Sequence, residues 1–115
     1  LLLGNQNNPW PYFKYADAFI LPTQSEAYPL SVKEALVFGL PALVTDVGGV
    51  SEIISDGKDG ILMKYDFENI KNHMKNLILN PDLYQELKNG AKISKNKFET
   101  QGIYKQIENL LTNEL

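Results

Sequence analysis

Two glutamates, Glu26 and Glu34, flank the stretch Ala27-Tyr28-Pro29-Leu30-Ser31-Val32-Lys33, just downstream of the apolar run Ala18-Phe19-Ile20-Leu21. Pro29 suits the first position of a helix, where its missing N–H is no loss and its fixed φ is already helical. Glu26 therefore falls in a loop and Glu34 about one and a half turns inside the helix that follows. The unpaired N–H groups of the first helical turn, around Tyr28 to Ser31, form a ready anion site. One carboxylate beside an anion cradle and another just behind it fit a ligand that carries both phosphate and hydroxyl groups. A nucleotide sugar has that chemistry.

The flanking elements must put these groups in place. Trp10–Tyr15 reads as a short helix entered through Pro9 and Pro11, and Ala18–Leu21 as a strand buried on both faces. The helix from Pro29 ends near Phe38 with Gly39 as its C-terminal cap, and Pro41–Thr45 is a second buried strand. Asp46-Val47-Gly48-Gly49 is a loop in which the two glycines either turn the chain or bring its backbone against a phosphate. Ser51 is a cap for a short helix containing Glu52, Ile53 and Ile54. Asp56-Gly57-Lys58-Asp59-Gly60 is turn chemistry before the strand Ile61–Met63. Phe67, Ile70, Met74, Leu77 and Ile78 share a face of the next helix. Asn80-Pro81 opens another, which carries Leu83, Leu87 and Ala91. Ile103, Ile107, Leu110 and Leu111 pattern a last one.

Strands alternating with helices at this spacing specify an α/β, Rossmann-like parallel sheet with flanking helices. Ligands of such sheets bind beyond the carboxyl ends of the strands. The Glu26 loop and Gly48-Gly49 each follow a strand, so both fall on one edge.

Composition narrows the function. The 115 residues suffice for one modest domain, and 43% hydrophobic content is ordinary for a globular chain. All eleven basic residues are lysines, against fourteen acids. Without arginine the chain lacks the usual bidentate reader of bases and phosphates, which disfavours nucleic acid as a partner. The absence of cysteine excludes disulfides and thiolate catalysis. No apolar run approaches the ~20 residues of a membrane span. Leu1-Leu2-Leu3-Gly4 lacks the form of a signal peptide and reads as the end of a strand already in progress, so a fragment is expected.

Four ordered pieces carry a family resemblance: Ala16-Asp17-Ala18-Phe19-Ile20-Leu21-Pro22; Glu26 through Glu34; Gly39 through Gly49; and Asp56-Gly57-Lys58-Asp59-Gly60. Together they resemble the C-terminal, nucleotide-sugar-binding domain of group 1 (family 4) retaining glycosyltransferases. Those enzymes have the GT-B architecture, two Rossmann-like domains facing each other across a cleft. The resemblance implies sugar transfer from a nucleotide-diphosphate sugar to a glycan or lipid-linked acceptor, with retention of configuration and without metal or other cofactor. It implies that Glu34 accepts hydrogen bonds from the ribose hydroxyls. Glu26, the catalytic candidate, would meet the donor sugar and stabilise charge near its anomeric centre. The backbone around Ala27, Tyr28, Pro29, Leu30 and Ser31 would face the sugar and diphosphate, with Gly48 and Gly49 as further donor-binding candidates.

Ala27 stands where the family commonly has glycine. The basic pair that usually grips the diphosphate, the acceptor domain and the first two strands of the donor domain are all upstream features absent from these residues. Residues 1–115 are accordingly expected to be an incomplete donor domain, inactive alone. The alternatives are a non-catalytic nucleotide-sugar-binding remnant and a GT-B-type sugar-nucleotide epimerase. The expected location is the cytoplasm, with peripheral contact at the inner face of the membrane as an option for the lysine-rich stretch Lys88–Lys97.

Several residues have plainer readings. Asp46 and Glu52 are capping or surface groups, and His73 is a solvated helix residue. Asp56 and Asp59 lack the twelve-residue calcium-loop pattern. Trp10, Tyr12 and Phe13 pack against the sheet in preference to stacking on a base.

Overall fold

Short apolar runs separated by helix-length segments fold as their spacing dictates. In the computed structural model, which describes Gly4, residues 10–25, residues 30–100 and Asn109, they form three parallel strands and four helices. The order is α1 (Trp10–Tyr15), β1 (Phe19–Leu21), α2 (Leu30–Val37), β2 (Ala42–Thr45), a 3₁₀ turn (Val50–Glu52), β3 (Gly60–Met63), α3 (Phe67–Leu79) and α4 (Pro81–Thr100). The strands pair β1-β2-β3, with Ile20 opposite Leu43 and Leu43 opposite Ile61. The anticipated α/β parallel sheet is present. The expected strand at Leu1–Leu3 and the helix over 103–111 lie outside the described residues.

All four residues of β2 are buried, and its alternation feeds two cores. Ala42 and Val44 pack with Val32, Leu36, Val37, Val50, Ile53 and Ile54 on one face, while Leu43 joins Met63, Leu77 and Leu87 on the other. This is why the run is continuously apolar. β1, at the edge, is half-buried throughout, not buried on both faces as its sequence implied. The cause is its position: among the described residues only β2 pairs with it.

Trp10 is buried and stacks on Phe38 at 6.2 Å, while Phe13 stacks on Phe19 at 5.7 Å. These rings fasten α1 to the end of α2 and to β1, the packing role read from the sequence for Trp10 and Phe13; Tyr12, 48% exposed, lies outside that core. The α2 helix closes with Leu40 N–H bonded to the Ala35 carbonyl and Gly39 N–H to that of Leu36, the paired bonds of a Schellman cap.

Two expectations need correction. Gly49, not Ser51, occupies the cap position of a single 3₁₀ turn, with no side-chain cap, because that turn begins two residues earlier than the polar pattern suggests. Phe67 and Ile78 are about three-quarters exposed, at 76% and 77%. Only Ile70, Met74 and Leu77 meet the core, because a helix lying on one layer touches it along one i, i+4, i+7 seam. The α4 helix runs through Gly90 to Thr100. Asn80 caps it, its Oδ1 accepting from Leu83 N–H at 3.1 Å, with Pro81 in the first position as anticipated.

Gly90 is a contact point for the backbone of the turn before β3. A Cβ there would stand 1.9 Å from the Lys58 carbonyl oxygen. Next to it, Asp59 is 5% exposed; its Oδ1 accepts from Ser55 N–H at 2.8 Å and its Oδ2 from the Ser94 hydroxyl of α4 at 2.7 Å. Gly90→Ala is therefore expected to destabilise the chain by ~1–3 kcal/mol through overpacking, overriding the ~1 kcal/mol that alanine normally gains in a helix. Urea unfolding of the two chains measures the difference.

Candidate functional site

Parallel pairing sends the chain out of every strand at the same edge. Leu21 leads into residues 22–29, Thr45 into residues 46–49, and Met63 into the turn before α3. The return through α2 places that helix's amino terminus at this carboxyl edge as well. Glu26, Ala27, Tyr28 and Pro29 lie outside the described residues. Leu30, 55% exposed, and half-buried Ser31 open α2 at the edge.

Glu34 follows Leu30 by four positions, so the two share a side of α2. Side chains on a helix lean toward its amino terminus, which carries the Glu34 carboxylate back toward the edge. The opposite side of α2 is locked, since Val32, Ala35 and Leu36 are all 0% exposed. Glu34 itself is half-buried, and that desolvation holds its carboxyl above the usual value of 4.5. A partly dehydrated carboxylate at a sheet's ligand edge is equipped to accept from hydroxyl or amide donors of a ligand.

The second loop has a different chemistry. Gly48 adopts φ +54°, a left-handed conformation that a side chain would disfavour. Gly49 follows at φ −86°, ψ 11°. Successive residues of opposite hand are the backbone pattern from which main-chain anion nests are built, although the Val50 N–H next in line is bonded to the Val47 carbonyl at 3.3 Å. Thr45, at the end of β2, is completely buried, and its hydroxyl donates to the Thr23 carbonyl. Sequence reading passed over this threonine because a β-branched residue ending an apolar strand looks like ordinary strand filler.

The remaining candidates are placed as follows. Asp46 and Glu52 are exposed, as surface groups should be. Asp56 accepts from Leu62 N–H at 3.0 Å, so both turn aspartates serve the backbone. Their role was missed because a turn aspartate's distant partners are invisible in sequence. His73 is half-buried, not fully solvated, and among the described residues no cluster of three His, Cys, Asp or Glu side chains is disposed to hold a metal. An apolar groove of about 390 Å³ runs between Asp17, Ala18, Ile20, Met74, Leu77, Ile78, Pro81 and Tyr84. It lies where β1 begins and α3 ends, at the amino end of the sheet, and contains none of the candidate residues.

Comparison with known proteins gives a consistent result. The family described as glycosyl transferases group 1 matches residues 1–94. The chain is 44% identical over 52 residues to a D-inositol 3-phosphate glycosyltransferase of Paenarthrobacter aurescens, covering 45% of this chain and 13% of that protein. It is 27% identical over 112 residues to the capsular polysaccharide biosynthesis glycosyltransferase CapM of Staphylococcus aureus, covering 96% of this chain and 30% of that one. Among solved structures, the sucrose-phosphate synthase of Thermosynechococcus elongatus superposes with a TM-score of 0.70 at 21% identity. That match covers 89% of this chain and 26% of the synthase, and shows a shared fold. The chain thus spans less than a third of the length of each of these proteins.

Because burial raises the Glu34 carboxyl, folding favours its protonated form. Wild-type stability attributable to this group is full below the ordinary carboxylate range and is lost as pH rises through the raised value. Glu34→Gln is expected to be more stable than wild type at pH 7, by less than ~1 kcal/mol given the carboxylate's access to solvent. The gap should close in acid, as chemical denaturation across a pH series would measure.

Proposed function

The chain belongs to the group 1 glycosyl transferases, and we propose that it is the donor-binding part of an enzyme that transfers a sugar from a nucleotide-diphosphate sugar, with retention of configuration, to a glycan or lipid-linked acceptor. The observation that carries this reading is Glu34, half-buried on a helix locked from behind, at the carboxyl edge of a parallel sheet. The ribose hydroxyls donate to its carboxylate. These bonds replace hydration that the fold has already removed, so the group accepts them at little further desolvation.

The diphosphate sits between the amino terminus of α2 and the Gly48-Gly49 nest. As the glycosidic bond breaks, negative charge grows on the leaving diphosphate. Fixed N–H dipoles stabilise that charge without rearranging, which is how main-chain groups lower a barrier of this kind. The reading assigns this charge to main-chain donors and requires no metal. Glu26 is taken to contact the donor sugar. Acceptor recognition falls to parts of the relatives' length that these 115 residues do not span.

Among the described residues, no helix is long and apolar enough to cross a membrane. Any engagement of a lipid-linked acceptor by this chain would be peripheral, with the lysines of α4 as the basic surface. A binding remnant would hold donor without turnover, and an epimerase would isomerise it.

Ligand-observed NMR against UDP, GDP, ADP and their sugars tests the reading. One nucleoside diphosphate is expected to bind, and Glu34→Ala to weaken it ~10–100-fold, the weight of hydrogen bonds to a charged acceptor. Binding that survives Glu34→Ala undiminished would remove Glu34 from the site.

A further inference from the structure

The first strand stops pairing where Pro22 follows Leu21, since proline brings no N–H to continue the ladder with β2. Beyond that point the chain is held by a side chain. The Thr45 hydroxyl, 0% exposed, donates to the Thr23 carbonyl and lies 3.5 Å from that of Leu21. Thr23 passes the restraint on: its own hydroxyl donates to the Ser25 carbonyl at 3.1 Å and accepts from Ser25 N–H at 3.4 Å. Thr45 also precedes Asp46 directly, and Asp46 N–H is tied to the Met63 carbonyl at 2.7 Å. One buried hydroxyl thus connects the exits of β1 and β2, the two loops that flank the donor site.

We propose that Thr45 is a positioning residue for donor binding: its hydroxyl replaces the ladder bonds that Pro22 interrupts, and so sets residues 23–25 against the Gly48-Gly49 loop. This rests on the proposed donor site. Buried polar groups are retained only where they find partners, and this one faces carbonyls of the departing loop. Valine would fill the same volume and suit the end of an apolar strand. The hydroxyl is therefore explained by what it holds, not by what it packs against.

The test compares Thr45→Val, which keeps shape and loses the hydroxyl, with Thr45→Ser, which keeps the hydroxyl. Both are made in the 115-residue chain and labelled with ¹⁵N. In Thr45→Val the Ser25 amide, which the Thr23 hydroxyl accepts from, is expected to exchange on the order of tenfold faster than in wild type, the weight of one hydrogen bond. Amides of β2 and β3 should be unchanged and the urea midpoint preserved. Thr45→Ser should restore the wild-type exchange. Affinity for UDP, GDP or ADP, whichever wild type binds, should fall ~5–10-fold in Thr45→Val and recover in Thr45→Ser.

Should Thr45→Val fail to fold, Thr23→Val breaks the same relay one step out, in the loop itself, and should free the Ser25 amide alone. Unchanged exchange at Ser25 in the valine variants overturns the tether. Faster exchange with undiminished affinity overturns its part in donor binding. A wild-type chain that binds none of the three nucleotides overturns the donor-site reading, and the donor role of Thr45 with it. The exchange comparison still decides whether the tether exists, so the two failures are told apart.

Discussion

A strand cannot be joined to a parallel neighbour by a tight turn; the chain must cross over and return before it can pair again. Everything of functional interest follows from that constraint. The segment between β1 and β2 has to travel back through α2, which brings the helix's amino terminus beside the strand ends it has just left. The loops after Leu21 and Thr45 are delivered to the same edge by the same rule, although they are separate in sequence. The central strand must then be apolar on both faces, because helices cover each side, and β2 meets this with Ala42 and Val44 on one face and Leu43 on the other. The site is a by-product of how parallel strands connect, furnished afterwards with suitable side chains.

Rigidity at the site is built from behind. The α2 helix is held by the sheet and by α4, and α4 is held by the turn before β3 through Gly90, Asp59 and Ser94. The contacts of Gly90, Asp59 and Ser94 lie before β3, away from that edge, and support α2 through α4. Half-burying a carboxylate opposes folding, and nothing among the described residues shows the fold gaining from it. In the proposed reading that cost is offset when a ligand's hydroxyls donate to the carboxylate.

The sequence revealed most of this because the relevant signals are local. Runs such as Ala42-Leu43-Val44, the Asn80-Pro81 cap and Gly39 at the end of α2 report on the residues beside them, and their elements formed where expected. What stayed hidden depends on distant partners. Asp59 looked like turn chemistry, and its bond to Ser94 spans 35 positions. Thr45 looked like strand filler, and its bond to Thr23 spans 22. Gly90 drew no reading at all, and it marks a place where another backbone comes too close for a side chain. Phe67 and Ile78 fit the apolar period but fall outside the seam, because periodicity gives a helix's candidate face and not the width of what it packs on. The place of Glu34 inside α2 was legible through its setting, since an apolar strand followed by a loop and a helix fixes the edge at which that helix begins.

A carboxylate near an anion cradle is at first a contradiction, since both would contest the same phosphate. The geometry of α2 resolves it. Glu34 lies four residues past Leu30, about 6 Å along the axis at the usual helical rise. In the proposed reading the Gly48-Gly49 loop and the first-turn N–H groups favour negative charge, whereas Glu34 repels it and attracts hydroxyl donors. A ligand with phosphate at one end and hydroxyls at the other can satisfy both in a single orientation. The reversed pose would set phosphate against a carboxylate whose hydration the fold has already thinned, where the repulsion is least screened. In the proposed reading Glu34 therefore does more than add affinity. By rejecting the wrong end of the ligand it fixes which way a nucleotide sugar lies, and so which bond faces the acceptor.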